Sequence, residues 1–406
     1  MFVSGSSSGR TGVDYLTFAY DSSTGEQLWQ ARHHGPDGRD AYFQALDVSP
    51  GGDLVFVTGR FTGSTPGETV AYDASTGAQV WVQGFGGRVT DRRGSPRDLA
   101  VSPDGTMLFV TGSQRVSGGS QDYATVAYLA ATGERVWTKR YDGRGADGSD
   151  WAQALAVAPD GGTLFVTGTI DGKAYGYATL AYDAATGSKV WTARHGWGDL
   201  RDISPAEIAV SADGTRVFLT GSNFTWTTKT WWTSSDTLAY DAATGDEVWE
   251  VRSGGELRVP GYTSSLVVSP DGSTVFVTGS GSGPTSTLDY VTTALDASSG
   301  TVLWDRHYHG GGDYAQDVAF SMALSADGST VFVTGASGPW RDPDYATVAY
   351  DASSGAELWH RRFEGPRDGR DSARSIAVSP DGSRVFVTGE SDAAGGTSFA
   401  TVAYSA

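Results

Sequence analysis

The stretch AYDAATGSKVW, Ala181–Trp191, decides the fold of this chain. Its A-x-D-x-x-T/S-G-x-x-x-W pattern, in which Leu129 is the one replacement of the Asp, occurs seven times among the 406 residues, and successive Trp residues lie 52 to 58 positions apart. The copies end at Trp29, Trp81, Trp137, Trp191, Trp249, Trp304 and Trp359. Recurrence at so regular a period indicates a repeat architecture. We therefore predict that residues 1–406 form a single domain built from one repeated unit.

Each repeat also predicts four short β-strands. A string such as AVSPDG, at 100–105, is followed by FVTG, then by a TVAYD-type string and finally by the strand that ends near the Trp. Apolar–polar alternation and many β-branched and aromatic side chains favour strands over helices. In the SPDG turn, Pro presets φ, Asp accepts hydrogen bonds from backbone N–H groups and Gly supplies a positive φ. Because a four-stranded antiparallel sheet repeated about an axis is a propeller blade, we predict an all-β β-propeller.

The strand types occur unequal numbers of times, which bears on the number of blades. The strings predict thirty strands, a number that neither seven nor eight complete four-stranded blades explain. We expect eight blades, the first and last of them incomplete in this chain; seven blades with two surplus terminal strands is the alternative. Met1–Gly5 aligns with the end of Thr106–Gly112, so we expect further residues upstream of Met1. If those residues carry a secretion signal, the protein is extracellular or belongs to the cell envelope.

Composition limits the choice of partners. Asp and Glu number 47 against 29 Lys and Arg, which makes the net charge −18. Since contact with phosphates requires clustered basic side chains, we exclude nucleic acids and anionic membrane surfaces. No apolar run reaches the ~18 residues that a membrane-spanning helix needs. The absence of Cys rules out disulfides, thiolate metal ligands and a Cys nucleophile. We expect a monomer that binds a protein, a glycan or a small molecule.

The repeated string resembles the tryptophan-docking motif of quinoprotein-like, or PQQ-like, propeller repeats, and the SPDG turn resembles turns of the YVTN and WD40-like bacterial propellers. The resemblance covers nearly the whole chain. It implies a bacterial propeller in which each Trp packs between blades, and it suggests a PQQ- and Ca²⁺-dependent dehydrogenase. The adjacent Cys pair of several such enzymes cannot exist here, because the chain has no Cys. We therefore predict no cofactor: Ca²⁺ is compatible with the residues present, whereas PQQ is disfavoured.

Aromatic residues outside the repeat pattern are candidates for ligand binding. The two longer connections of each repeat should lie on one face of the propeller, and binding residues concentrate in such connections. The segment Ser222–Asp236 is the richest in aromatic residues, which suit stacking on sugar rings or apolar ligands. The alternative is that this segment folds onto its own side chains. The candidates are Phe224, Trp226, Trp231 and Trp232, with Trp151, Trp197 and Trp340 in other connections.

Acidic residues before the inner strands are candidates for metal binding. Five of these strands are preceded by an Asp, at Asp40, Asp150, Asp202, Asp317 and Asp371. Since inner strands line the central channel, these carboxylates could surround its mouth and bind Ca²⁺. The alternative is that they cap N–H groups of the inner strands or pair with the Arg three residues after a Trp, at Arg32, Arg140, Arg194, Arg252 and Arg362.

Two histidines form a second candidate for metal binding. His307 and His309 are two residues apart, which places both on one side of an extended segment, and Asp313 follows nearby. This arrangement could be half a metal site. The alternative is that both histidines are surface or hydrogen-bonding groups.

The sequence contains none of the common catalytic motifs. It lacks a GxSxG elbow, an HExxH helix, a Walker loop and an EF-hand loop. We therefore predict a noncatalytic binding or scaffold propeller that presents its loop-rich face to a partner. The alternatives are the PQQ-dependent dehydrogenase and a hydrolase or lyase that uses His and Asp residues of that face.

Overall fold

The computed structural model describes most of the chain as strands and tight turns. The described residues are 1–8, 12–63, 65–86, 94–116, 119–143, 148–171, 176–196, 202–226, 231–253, 262–282, 288–311, 315–393 and 396–406, without the side chains of 202–206, 223–226, 231–233, 253, 262, 282 and 396. They form thirty β-strands in eight antiparallel sheets, six of four strands and two of three, and one 3₁₀ turn at Pro36–Gly38. The fold is an eight-bladed β-propeller, which confirms the predicted class, the blade number and the incomplete first and last blades. Among the described residues, no helix is long and apolar enough to cross a membrane.

Unit 1, Met1–Gly198, contains sheets 1 to 4, in each of which the strands follow chain order as an antiparallel meander. Sheet 1 consists of β1 (Phe2–Ser8), β2 (Val13–Tyr20) and β3 (Gln27–His33); sheet 2 of β4 (Ala41–Val48), β5 (Leu54–Phe61), β6 (Glu68–Asp73) and β7 (Gln79–Gly84); sheet 3 of β8 (Gly94–Val101), β9 (Met107–Arg115), β10 (Gln121–Leu129) and β11 (Arg135–Tyr141); sheet 4 of β12 (Asp150–Val157), β13 (Thr163–Ile170), β14 (Gly176–Asp183) and β15 (Lys189–Gly196).

Unit 2, Asp199–Ala406, contains sheets 5 to 8 with the same internal topology. Sheet 5 consists of β16 (Asp202–Val210), β17 (Arg216–Trp226), β18 (Trp231–Asp241) and β19 (Glu247–Ser253); sheet 6 of β20 (Tyr262–Val268), β21 (Thr274–Ser282), β22 (Leu288–Asp296) and β23 (Val302–Tyr308); sheet 7 of β24 (Val318–Leu324), β25 (Thr330–Ser337), β26 (Asp344–Asp351) and β27 (Glu357–Phe363); sheet 8 of β28 (Ser372–Val378), β29 (Arg384–Ala393) and β30 (Gly396–Ser405).

The Trp of the repeat joins neighbouring sheets within each unit. The indole N–H of Trp137, in sheet 3, donates to the carbonyl oxygen of Ala184, in sheet 4, at 2.9 Å. The indole ring lies against Gly187, where a Cβ would be 2.7 Å from the ring, and Gly187 has a φ of 66°. The Gly of the TG pair is therefore required twice, by the turn and by the ring. The same indole hydrogen bond joins Trp29 to Ala74, Trp81 to Ala130, Trp249 to Ala297 and Trp304 to Ala352.

The FVTG-type string occupies the second strand of sheets 2 to 8, where the strands on both sides of it restrict its residues. Its Thr side chain is buried and shares a hydrogen bond with a Thr of the third strand, as between Thr167 and Thr179 at 3.1 Å. Its Gly faces the backbone of the first strand: a Cβ at Gly168 would lie 2.1 Å from the carbonyl oxygen of Trp151. The Thr and the Gly thus fix the spacing of the first three strands of the sheet.

The first strand of every sheet except sheet 1 contains a β-bulge opposite that Gly. In unit 1 the first strands of sheets 2, 3 and 4 are adjacent, since Asp47 Oδ2 of β4 accepts the N–H of Val101 of β8 at 2.9 Å, and Asp98 Oδ2 accepts that of Leu155 in β12 at 2.9 Å. Each bulge inserts one residue into its strand, and we call these residues the bulge row. They are Gln44, Arg97, Gln153, Ala206, Ser264, Phe320 and Arg374.

Candidate functional site

Three of the predicted acidic residues occupy equivalent positions, each two residues before the Ala that immediately precedes the bulge residue. All three are buried. Asp150 accepts the backbone N–H of Gly143 at 2.5 Å and that of Asp171 at 3.1 Å. Asp371 accepts the corresponding N–H groups of Gly365 and Asp392, at 2.6 and 3.2 Å. The two carboxylates therefore accept N–H groups from residues outside their own strands, and not the N–H groups of the inner strands themselves. Asp317, the third, differs and is described below.

Asp40 and Asp202 lie one residue earlier relative to the bulge than these three. Asp40 is half-buried, and its Oδ1 accepts the N–H of Val13 in sheet 1 at 2.9 Å. Asp202 begins β16, and its side chain lies outside the described part of the structure. The five carboxylates thus divide into different local environments, although the sequence presents them as one set.

Asp150 gives unfolding a distinctive pH dependence. Burial raises the pKa of its carboxyl to about 6, although the N–H groups of Gly143 and Asp171 oppose the shift. The folded state therefore holds this proton more tightly than the unfolded chain, so stability falls as the pH rises from about 4 to about 6. We expect the stability advantage of the native protein over Asp150→Asn to shrink by about 2 kcal/mol across that range.

Urea unfolding of both proteins at pH 4 and pH 6.5 checks this prediction. The matched control is Asp73→Asn, in an exposed turn, because the Ser75 and Thr76 hydrogen bonds lower the pKa of Asp73. Its contribution is lost only at more acidic pH, so the difference between the native protein and this variant should stay nearly constant across the same range. A constant difference for Asp150→Asn as well would contradict the raised pKa.

A cluster of one His and two Asp residues lies in unit 2. His309 Nδ1 is 3.1 Å from Asp289 Oδ1 and 3.4 Å from Asp317 Oδ2. Both aspartates are fully buried, whereas the imidazole reaches the surface. Three potential metal-ligand atoms, one from each residue, lie within 4.8 Å of one another. The structure therefore brings His309 and Asp317 together, and it adds Asp289, which sequence reasoning missed although its Asp-Tyr string recurs at Asp14, Asp122 and Asp344.

His307 is separated from this cluster. Its Nε2 lies 3.3 Å from Asp305 Oδ2, and this hydrogen bond raises the pKa of His307. Strand β23 ends at Tyr308, so His307 lies in the strand and His309 in the connection beyond it. Asp313, predicted nearby, lies outside the described residues.

The predicted aromatic candidates are distributed over strands as well as connections. The segment Ser222–Asp236 is mostly hairpin: β17 and β18 extend through it, with Trp226 opposite Trp231 in the register. Its Thr and aromatic residues suit strands, which explains why the loop placement needs revision. The side chains of Phe224, Trp226, Trp231 and Trp232 lie outside the described part, as does all of Trp197, so ligand binding by them stays a prediction.

Trp151 and Trp340 are fully described. Trp151 lies within β12, opposite Thr169, and is half-buried. Trp340 is 63% exposed, and the guanidinium carbon of Arg370 lies 5.3 Å from its ring centroid. Trp340 is therefore the more accessible of the two for stacking on a ligand.

The bulge row contains a cationic group that sequence reasoning missed. Arg97 Nη1 donates to Gln44 Oε1 of the neighbouring first strand at 3.3 Å. Arg60, in β5, stacks on the ring of Tyr42 with its guanidinium carbon 4.7 Å from the centroid. Partial burial and the charge of Arg60 lower the pKa of Arg97. Among the residues that the structure describes, neither guanidinium forms an ion pair with a carboxylate, although the chain is strongly acidic.

Comparison with known proteins identifies the family to which the repeats belong. A family model described as "Outer membrane protein assembly factor BamB" matches residues 17–181 and 178–401. The chain belongs to this family. The predicted resemblance to bacterial PQQ-like propeller repeats is thereby confirmed.

One relative of this BamB-family chain is a quinoprotein dehydrogenase. It is 28% identical over 142 residues to the quinoprotein ethanol dehydrogenase of Pseudomonas putida, a match that covers 32% of this chain and 22% of that enzyme. The chain thus matches about a fifth of the length of that relative.

Solved structures share the fold at lower identity. BamB from Moraxella catarrhalis has a TM-score of 0.52 at 16% identity, covering 98% of this chain and 90% of BamB. The quinohemoprotein alcohol dehydrogenase ADHIIG from Pseudomonas putida has a TM-score of 0.55 at 16% identity, covering 93% of this chain and 69% of the enzyme.

Proposed function

We propose that this chain is a noncatalytic binding propeller that recognises an acidic segment of a partner protein through the bulge-row residues of unit 1, Gln44, Arg97 and Gln153. The supporting observation is that the bulge position changes chemistry from sheet to sheet, while the Trp, Thr and Gly positions around it repeat. Positions that vary on a constant scaffold are where a repeat protein can encode recognition. The described side chains of the row are Gln44, Arg97, Gln153, Ser264, Phe320 and Arg374.

The arginines indicate the chemistry of the ligand. Arg97 lies beside Arg60 and makes its described side-chain hydrogen bond to an amide oxygen, which leaves further N–H donors for a carboxylate. Because the net charge of the chain is −18, an acidic partner is repelled by most of the surface. The guanidinium pair would therefore set where such a partner docks. The description of the matched family as an assembly factor supports a protein partner.

Binding of a fluorescently labelled, glutamate-rich peptide tests this proposal by fluorescence anisotropy at low salt. We expect Arg97→Gln to weaken binding about tenfold, the loss typical of one charge-assisted hydrogen bond to an ionised group. The matched control is Arg135→Gln, because Arg135 lies on the fourth strand of sheet 3, away from the bulge row, and is exposed. Equal binding by the native protein and Arg97→Gln would contradict the proposal.

The quinoprotein relatives favour one alternative, a PQQ- and Ca²⁺-dependent dehydrogenase. PQQ is a polycarboxylate, and Arg60 and Arg97 suit its charge, but Ca²⁺ needs several oxygen ligands, usually including carboxylates. None of the bulge-row side chains that the structure describes is Asp or Glu. This donor set does not fit PQQ together with Ca²⁺. Dye reduction with ethanol after addition of PQQ and Ca²⁺ would overturn the noncatalytic proposal.

A further inference from the structure

The cluster of Asp289, His309 and Asp317 departs from the repeat in two ways, and the first is a missing arginine. In other sheets, the Asp that precedes the third-strand Tyr pairs with the Arg three residues after the Trp. Arg32 Nη1 lies 2.8 Å from Asp14 Oδ2, and Arg362 Nη2 lies 3.0 Å from Asp344 Oδ2. In sheet 6 the arginine position is occupied by His307, which bonds to Asp305 instead. Asp289 is thus buried without the guanidinium that the repeat provides elsewhere.

The second departure is a missing backbone donor. Asp150 and Asp371 each use both carboxylate oxygens to accept backbone N–H groups, the second from the residue three positions after the FVTG Gly. In sheet 7 that residue is Gly338, whose φ of 128° turns the backbone away from the usual course. Asp317 Oδ2 accepts the N–H of Gly310 at 2.9 Å, but Oδ1 is buried and has no hydrogen-bond partner among the described residues.

A nearby arginine does not compensate for these losses. Arg362 donates through Nη1 to the carbonyl oxygen of Gly310 at 3.0 Å and through Nη2 to that of Ser337 at 2.8 Å, and its ion pair is with Asp344. Its charge is therefore already matched. Two buried carboxylates remain with one imidazole, an arrangement that is short of positive charge and contains one carboxylate oxygen without a donor.

We propose that Asp289, His309 and Asp317 bind one divalent transition-metal ion of the Zn²⁺ class. One imidazole nitrogen with two carboxylates is a ligand set suited to such an ion, whereas Ca²⁺ prefers oxygen ligands alone. Metal–ligand bonds of about 2.0–2.2 Å in a tetrahedral site place neighbouring ligand atoms roughly 3.3–3.5 Å apart. The distances from His309 Nδ1 to the two carboxylates, 3.1 and 3.4 Å, are close to that spacing. Water completes the coordination on the exposed side of His309.

The ion would connect two sheets. Asp289 lies in β22 of sheet 6, His309 in the connection after β23, and Asp317 immediately before β24 of sheet 7. Elsewhere in the repeat, hydrogen bonds to backbone N–H groups hold this connection. Metal binding would therefore take the place of those hydrogen bonds in the connection between sheets 6 and 7. It would raise the stability of the folded state.

Isothermal titration of the metal-free full-length chain with Zn²⁺ tests the proposal, with Ca²⁺ as the comparison ion. We expect one Zn²⁺ per chain, no comparable binding of Ca²⁺, and at least a tenfold loss of affinity in His309→Gln. Because His309 is partly exposed, this variant should fold, and circular dichroism verifies it. Zn²⁺ at 100 times the native dissociation constant should raise the unfolding temperature of the native protein by roughly 3 °C and that of His309→Gln by at most about half as much.

Two matched controls separate this site from other imidazoles and carboxylates. His34→Gln removes the equivalent imidazole of sheet 1, which lies 3.0 Å from Asp14 Oδ1, an aspartate already paired with Arg32. Asp371→Asn removes the equivalent of Asp317 in a sheet where both carboxylate oxygens are occupied. Both should bind Zn²⁺ as the native protein does. The proposal is overturned if the native protein binds no Zn²⁺, or if folded His309→Gln binds it with unchanged affinity.

Discussion

Trp137→Ala should lower the free energy of unfolding by about 3–5 kcal/mol, the range for truncating a buried Trp. The indole is only 8% exposed, packs against the tilted ring of Phe109 at a centroid distance of 5.9 Å and donates its N–H to the carbonyl oxygen of Ala184. Its removal leaves a cavity between sheets 3 and 4 and an unpaired carbonyl oxygen. Urea unfolding followed by circular dichroism measures the loss.

Trp340→Ala is the control for this change. The ring of Trp340 is 63% exposed and contacts Arg370 at the surface, so its truncation should cost less than about 1 kcal/mol. Similar losses for the two variants would show that the docked Trp residues do not hold the sheets together, and the account of the repeat would fail.

Gly168→Ala should be the second strongly destabilising change, by about 2–3 kcal/mol. A Cβ at this position would lie 2.1 Å from the carbonyl oxygen of Trp151 and 2.6 Å from the Cα of Ala152. Both obstructing atoms belong to backbone, so neither can move aside as a flexible side chain would. The bulge of β12 would have to shift, which would disturb the first strand. The same urea experiment measures the effect.

Gly84→Ala is the matched control, because no atom lies within 4 Å of a Cβ built at Gly84. Its stability should stay within about 0.5 kcal/mol of the native value. If Gly168→Ala proved as harmless as this control, the close approach of the first two strands would not be a constraint on the FVTG string.

Much of the candidate chemistry was visible in the sequence, but its grouping was not. Asp317 was identified as a potential ligand from its position before an inner strand and His309 from its spacing with His307, and the structure places Asp317 and His309 together. Asp289 was overlooked because its Asp-Tyr string looks the same in sheets where an arginine neutralises it. Arg97 was overlooked because a bulge cannot be recognised from a strand of six to eight residues, in which one inserted residue resembles ordinary irregularity in alternation.

The sequence by itself determined the all-β class and the strand order within each blade, because both depend on local strings that recur with a regular period. It favoured eight blades over seven, and the eight sheets of the structure decided the number. Turn residues, strand propensity and the docked Trp act within one repeat or between consecutive repeats, so their pattern is sufficient. Only the tertiary structure decided which buried carboxylates have a hydrogen-bond donor or a cation as a partner. Whether Asp317 Oδ1 finds a donor depends on the backbone course at Gly338, and whether Asp289 finds a cation depends on strand register across sheet 6. Such contacts join residues distant in the chain, and no local string records them.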